Sequence, residues 1–121
     1  MSASLNNLII GEPQTVTASG QLPAVLVPLA VSTAAVDVNV TAASGTSPTL
    51  AFFLERQGAD GVWYPVWSPA AVTAPGQLST SVGPGCATAE VLTGSIRLRW
   101  TVGGTTPSFT FSASVVARAM G

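Results

Sequence analysis

The sequence predicts an all-β protein built as a single antiparallel β-sandwich. Apolar and polar residues alternate at period two in four separate stretches, the pattern of a strand with one buried and one wet face. Gly, Pro, Ser and Thr punctuate the chain at short intervals, and no stretch carries a helical spacing of apolar residues. At 121 residues the chain suits one domain, and a compact domain of this size buries roughly two thirds of its unfolded surface without needing metal or disulfide staples.

Taken in order, the first residues, MSASLNNLIIGE, stand apart, because Leu5, Leu8, Ile9 and Ile10 have no partner run nearby. They fit either an N-terminal arm that docks on a neighbour or a first edge strand. This divides the chain into residues 1–13 and a sandwich domain over 14–121. Gln14 to Ala18 and Ala24 to Val31 are the next candidate strands. The apolar stretch from 22 to 36 falls short of the ~20 uninterrupted apolar residues of a membrane span and carries two prolines, so it is expected to be a buried strand. No basic region precedes an apolar run at the N-terminus, so no signal peptide is expected.

The four alternating strands follow. Val36, Val38 and Val40 oppose Asp37, Asn39 and Thr41, and Leu50, Phe52 and Leu54 repeat the pattern. Ile96, Leu98 and Trp100 oppose Arg97 and Arg99, and Phe109, Phe111, Ala113 and Val115 complete the set. The strands come in two pairs, each joined by one element: SGTSPT at 44–49 and GGTTPS at 103–108. Gly supplies a positive-φ position there, and Pro removes a donor that a central ladder needs, so both are expected to be hairpin connections. Turn chemistry alone can produce such an echo without internal duplication. Between the pairs, Gly58, Asp60 and Gly61 signal a reversal into a short aromatic strand from Val62 to Trp67. Loops with brief edge strands, Ala71 to Thr73 and Leu78 to Val82, are expected after it. The total is seven to nine strands, arranged as an immunoglobulin-like or a jelly-roll sandwich.

Composition narrows the chemistry. Only 7% of residues are charged, against a norm of about 25%. With four arginines, no lysine and a net charge of −1, the chain has no basic run to neutralise phosphates, so no nucleic-acid partner is expected. Without histidine, Ser-His-Asp and Cys-His machinery is impossible. One cysteine, Cys86, neither forms an intrachain disulfide nor seeds a zinc site. Asp60 in GADG is a thin basis for calcium, and no sequence signal brings two of the five acids together as a catalytic pair. The chain is therefore expected to be no enzyme and to hold no metal or cofactor. Glu55 with Arg56, and Arg97 with Arg99, are expected to form cross-strand ion pairs on a solvated or subunit-facing sheet surface. Trp63, Tyr64 and Trp67 tempt a sugar-binding assignment, with Trp63 and Trp67 on one face and Pro65 between them. Burial in a core or subunit interface explains the same residues.

The segments VTAASGTSPTLAFFLERQGADGVWYPV and RLRWTVGGTTPSFTFSA resemble small virion proteins of tailed bacteriophages, of the jelly-roll decoration or cement type, from about Val36 to Arg118. The resemblance implies a jelly roll, usually trimeric, made in the host cytoplasm and seated on the outer capsid surface against the major capsid protein, with no membrane partner. It brings no catalytic residues. Scarce long charged side chains lower the ordering cost of each contact, which suits a protein that coats a shell in many copies. Interface candidates are Leu5, Leu8, Ile9, Ile10, Trp63, Tyr64, Trp67, Arg97 and Arg99. A tail or head-tail connection protein is the alternative within virions. A carbohydrate-binding module, with a host glycan as ligand, is the rival from another class.

Overall fold

The computed structural model describes residues 3–27, 31–83, 86, 88 and 94–120, with side-chain detail beginning at residue 11 and omitting 31–32 and 118–120. Seven strands are present among them: β1 (Ala3–Val16), β2 (Gly20–Gln21), β3 (Val25–Leu26), β4 (Val31–Gln57), β5 (Trp63–Trp67), β6 (Gly76–Val82) and β7 (Ser95–Met120). All pair antiparallel, and no helix occurs among the described residues.

Two strands organise the rest. β4 has 27 residues and β7 has 26. At about 3.3 Å per residue either would run to roughly 90 Å if straight, far longer than a compact domain of this size is wide. They run side by side as one ribbon that folds over near its middle. In one half, β6 pairs with β4, β4 with β7, and β7 with β1. In the other half, β5 pairs with β4, β4 with β7, and β7 with β2 and β3. Two sheets, each four strands wide and sharing a folded ribbon, each flanked by strands from the chain's earlier and middle parts, are the jelly-roll arrangement of a β-sandwich.

The core lies between the halves. All thirteen inward residues of the four alternating stretches, from Val36 through Val115, are buried. The Phe111 ring meets Phe52 edge-on at 5.0 Å and Trp100 at 5.1 Å, three aromatic residues from two strands closing the sandwich. The Trp100 Nε1–H donates to the Ala18 carbonyl at 3.0 Å, so the indole is buried without an orphaned donor.

The repeated Gly-Thr-Ser/Thr-Pro elements are not hairpins, which corrects the expectation from sequence. Each is a bend inside a continuous strand, and the two bends cross each other: Ser44 faces Ser108, Thr46 faces Thr105, and Thr49 faces Gly103. Their backbones match position for position, with φ of 112° at Gly45 and 107° at Gly104, and 49° at Ser47 and 46° at Thr106. A Cβ on Gly45 would lie 2.7 Å from the Thr106 carbonyl oxygen and 2.9 Å from Pro107 Cα. On Gly104 it would lie 2.6 Å from the Ser47 carbonyl oxygen and 2.9 Å from Pro48 Cα. Each glycine thus makes room for the other strand's proline turn, a local two-fold relation. A hairpin would have paired 36–42 with 50–56. Instead both segments find partners on β7, because the positive-φ residues redirect the strand into the opposite sheet without reversing it.

The strands at 63–67 and 76–82 follow the sequence more closely, but the stretch from 22 to 36 is not one buried strand: β3 covers only Val25–Leu26, and Leu26 is 74% exposed. The reversal at 58–61 closes with Gly58 N–H donating to the Val62 carbonyl at 2.8 Å, and Asp60 Oδ1 accepts from the Val62 N–H at 3.0 Å. Val72 makes a single bridge to Leu50. The backbone of β1 runs beside the end of β7 from Ala3↔Met120 to Val16↔Phe109, with register shifts between Asn7 and Ile9 and between Gly11 and Gln14.

Candidate interaction surface

The sheet containing β5 turns its odd-numbered β4 and β7 residues outward, which sets Phe53 opposite Arg99 and Glu55 opposite Arg97. Arg97 Nε donates to Glu55 Oε1 at 2.8 Å, and Arg99 Nε donates to the same oxygen at 3.1 Å. The Arg97 guanidinium lies 4.2 Å from the centre of the Trp63 ring, and that of Arg99 lies 4.1 Å from Phe53. Glu55 is 7% exposed. Burial pushes its carboxyl up, but hydrogen bonds from Arg99 and Arg97, backed by both charges, outweigh that and hold it below its ordinary value. The result is an ordered row of ring, guanidinium and carboxylate on an outer sheet face.

Arg56 does not join Glu55, because neighbours on one strand point to opposite faces; it lies 5.3 Å from the Tyr64 ring instead. The Tyr64 hydroxyl donates to Asp60 Oδ2 at 2.6 Å. That bond, with the Val62 N–H, lowers the Asp60 carboxyl, and the same bond with the Asp60 charge raises the Tyr64 phenol. Tyr64 is 38% exposed, and Leu26, at the same end of the sheet, is 74% exposed.

Trp63 and Trp67 do not share a face as simple alternation predicted. The register shifts where Leu54 faces Trp67 and Glu55 faces Pro65, leaving Val66 as an extra residue. Trp67 therefore packs against the core, while Trp63 stays outside beside Arg97. The structure brings Trp63, Arg97 and Arg99 together and sets Tyr64 on the other face of its strand, beside Arg56. It places the backbones of Leu5, Ile9 and Ile10 opposite Arg118, Val115 and Ser114, with Leu8 at a register shift; the side chains of these four lie outside the described detail. Phe53 is the member that sequence reasoning passed over. Its odd position, in phase with Glu55, was the available signal.

The outer face of the other sheet is different in kind. A shallow trough of about 540 Å³ runs over Ser112 and Ser114 between the β1 irregularity at Glu12–Pro13 and the β6 residues Gln77 to Ser79, with Asp37 and Asn39 on its wall. It offers hydroxyls and two carboxylates but no imidazole or amine to activate them. No group of three potential metal ligands exists among the described residues.

Fold and surfaces together define an antiparallel jelly roll with one aromatic and arginine-rich outer face and one small, polar, acidic outer face. Neither a scan against protein-family models nor a search of curated proteins found a match. Among solved structures, a chain in the structure of infectious bursal disease virus Gx strain aligns with a TM-score of 0.64 at 15% identity, over 100% of this chain and 34% of that one. A chain in the crystal structure of the T13 IBDV viral particle aligns with a TM-score of 0.45 at 14% identity, over 98% and 31%. The present chain thus spans about a third of the chains it resembles, and the likeness to the first is one of fold.

Proposed function

We propose that the chain is a structural subunit of a virion, acting as a decoration or cement protein on the outer capsid surface. The observation that carries this is the alignment of the entire chain, as one jelly roll, with part of a virus structure. The surfaces support it, since the ordered groups on the outer faces suit packing better than turnover. The assignment to tailed bacteriophages, with the major capsid protein as partner, rests on the sequence resemblance. Its mechanism is thermodynamic: by binding assembled shell and not loose subunits, it stabilises the shell by mass action, multiplied over many sites. A homotrimer is the proposed state, because β1 and β5 each pair on one side only among the described strands and a ring of copies covers such edges.

The sugar-binding alternative is weakened by the same geometry, because Arg97 occupies the Trp63 ring and Trp67 packs inward. The test uses capsids of the encoding virus from which this chain has been stripped. Purified chain added back is expected to co-sediment saturably and to raise the temperature of shell rupture. Failure to bind heads, or recovery of the chain solely from tails, overturns the proposal.

A further inference from the structure

The chain has few charges, and the structure sorts the unspent ones by face. On the outer face of the β5 sheet, Arg97 and Arg99 both donate through Nε to the one Glu55 carboxylate. Among the described residues, neither guanidinium pairs with a second carboxylate. This row therefore holds two positive groups against one negative, with the guanidiniums laid over two aromatic rings and the side chains still 19% and 32% exposed. On the opposite outer face, Glu12 and Asp37 border the trough, and neither makes an ion pair or side-chain hydrogen bond among the described residues. That face is recessed, because Ser112 and Ser114 form its floor.

We propose that these two faces dock on each other between copies of this chain, the Arg97 and Arg99 row of one copy seating in the Glu12 and Asp37 trough of the next. The signs match: a row with one unbalanced positive charge meets a trough bordered by two carboxylates. The spacings are of the same order, since residues two apart on a strand lie about 7 Å apart and residues two strands apart lie about 10 Å apart. Terminal guanidinium nitrogens form forked bonds to carboxylates, and the serine hydroxyls supply further partners. Because each copy carries one of each face on opposite sides of the sandwich, the contact is heterologous and directional, and it builds a head-to-tail stack. It involves faces and not strand edges, so it is separate from the proposed trimer and does not depend on where in a virion the chain resides.

The experiment is sedimentation equilibrium of the full chain over a range of concentrations at low and high salt. At low salt the average mass is expected to climb with concentration, and at about 0.5 M salt this growth should collapse, as screening shortens the reach of exposed charges. The double variant Asp37→Asn/Glu12→Gln removes only unpaired exposed groups, so it should melt like the parent while associating about tenfold or more weakly. Mixed with an Arg97→Gln/Arg99→Gln variant, it should regain association that neither variant shows alone, since each supplies the face that the other lacks. If the arginine variant does not fold, Arg99→Lys retains the charge and loses the fork, and should weaken growth by a smaller factor. A parent that shows no growth at low salt overturns the proposal. So does association that neither salt nor the Asp37 and Glu12 substitutions alter, which would place the contact on strand edges.

Discussion

Replacing Gly104 by alanine tests the crossing of the two long strands directly. The residue sits at φ 107°, where an L side chain is strained by about 1–3 kcal/mol. The new methyl would also lie 2.6 Å from the Ser47 carbonyl oxygen and 2.9 Å from Pro48 Cα, both backbone atoms of the opposing bend. Neither can rotate away, so the crossing must spread, adding overpacking of about 1–3 kcal/mol. A total loss of at least about 3 kcal/mol is expected, a large part of the roughly 6–18 kcal/mol that a domain of this length commands. Gly61→Ala is the matched control: it too has a positive φ, 82°, but nothing lies within 4 Å of its added carbon, so only about 1 kcal/mol should be lost. Urea unfolding of both variants, with slopes compared to confirm a common unfolded state, measures the difference. The double variant Gly45→Ala/Gly104→Ala should cost clearly less than the sum of its parts, because the first substitution has already opened the space the second needs. If Gly104→Ala costs no more than Gly61→Ala, or the pair is additive, the bends are independent turns and the interlock is wrong.

Thermal melts should separate the tryptophans, with Trp67→Ala costing about 3 kcal/mol through a cavity beside the core and Trp63→Ala nearer 1 kcal/mol through loss of its guanidinium partner. Glu55 is held below its ordinary value when folded, so its contribution is complete above the ordinary carboxylate range, about pH 4.3, and is lost as pH falls through its lowered folded value. Acid titration of stability should therefore show a shallower decline in Glu55→Gln than in the parent, and identical slopes would refute the pairing. Tyr64→Phe should bring the Asp60 carboxyl back toward its ordinary value by NMR titration, since the phenol hydroxyl is the main group lowering it. Deleting residues 1–12 strips most of the β1 ladder from β7 and should abolish cooperative melting; intact melting with lost attachment to shells would instead mark these residues as a docking arm.

The inward faces were legible because period-two alternation reports directly on burial. Val36, Phe52, Leu98 and Phe111 all lie where their phase puts them. The bends were not, since a Gly-Pro element that reverses a strand and one that redirects it into the other sheet use the same residues. What separates them is the partner strand, more than fifty residues away. Trp67 escaped for a related reason: one extra residue, Val66, flips the phase of everything after it, and no local composition marks it. On the candidate surface, Arg97 and Arg99 could be placed on the wet face from sequence, but their common acceptor could not. Glu55 reaches them only through a register fixed along the whole ribbon. The acidic trough was invisible, as it is assembled from β1, β4, β6 and β7 around two small serines.

The folded ribbon also sets the order in which this chain can acquire structure. Val36 must wait for Val115 and Phe52 for Trp100, and the pair Ala3 and Met120 spans nearly the whole chain. Such distant pairings carry a high loop-closure cost before they return any stabilisation, so folding is expected in the slow range for small domains, milliseconds to seconds. During synthesis β4 emerges well before β7, and until β7 follows only β5 and β6 are there to pair with it. The first half of the chain therefore spends that interval as a sticky, half-paired segment. A jelly roll closed by its last long strand folds after translation has delivered that strand, and its yield in a cell depends on how crowded the ribosome's surroundings are with copies of the same unfinished β4.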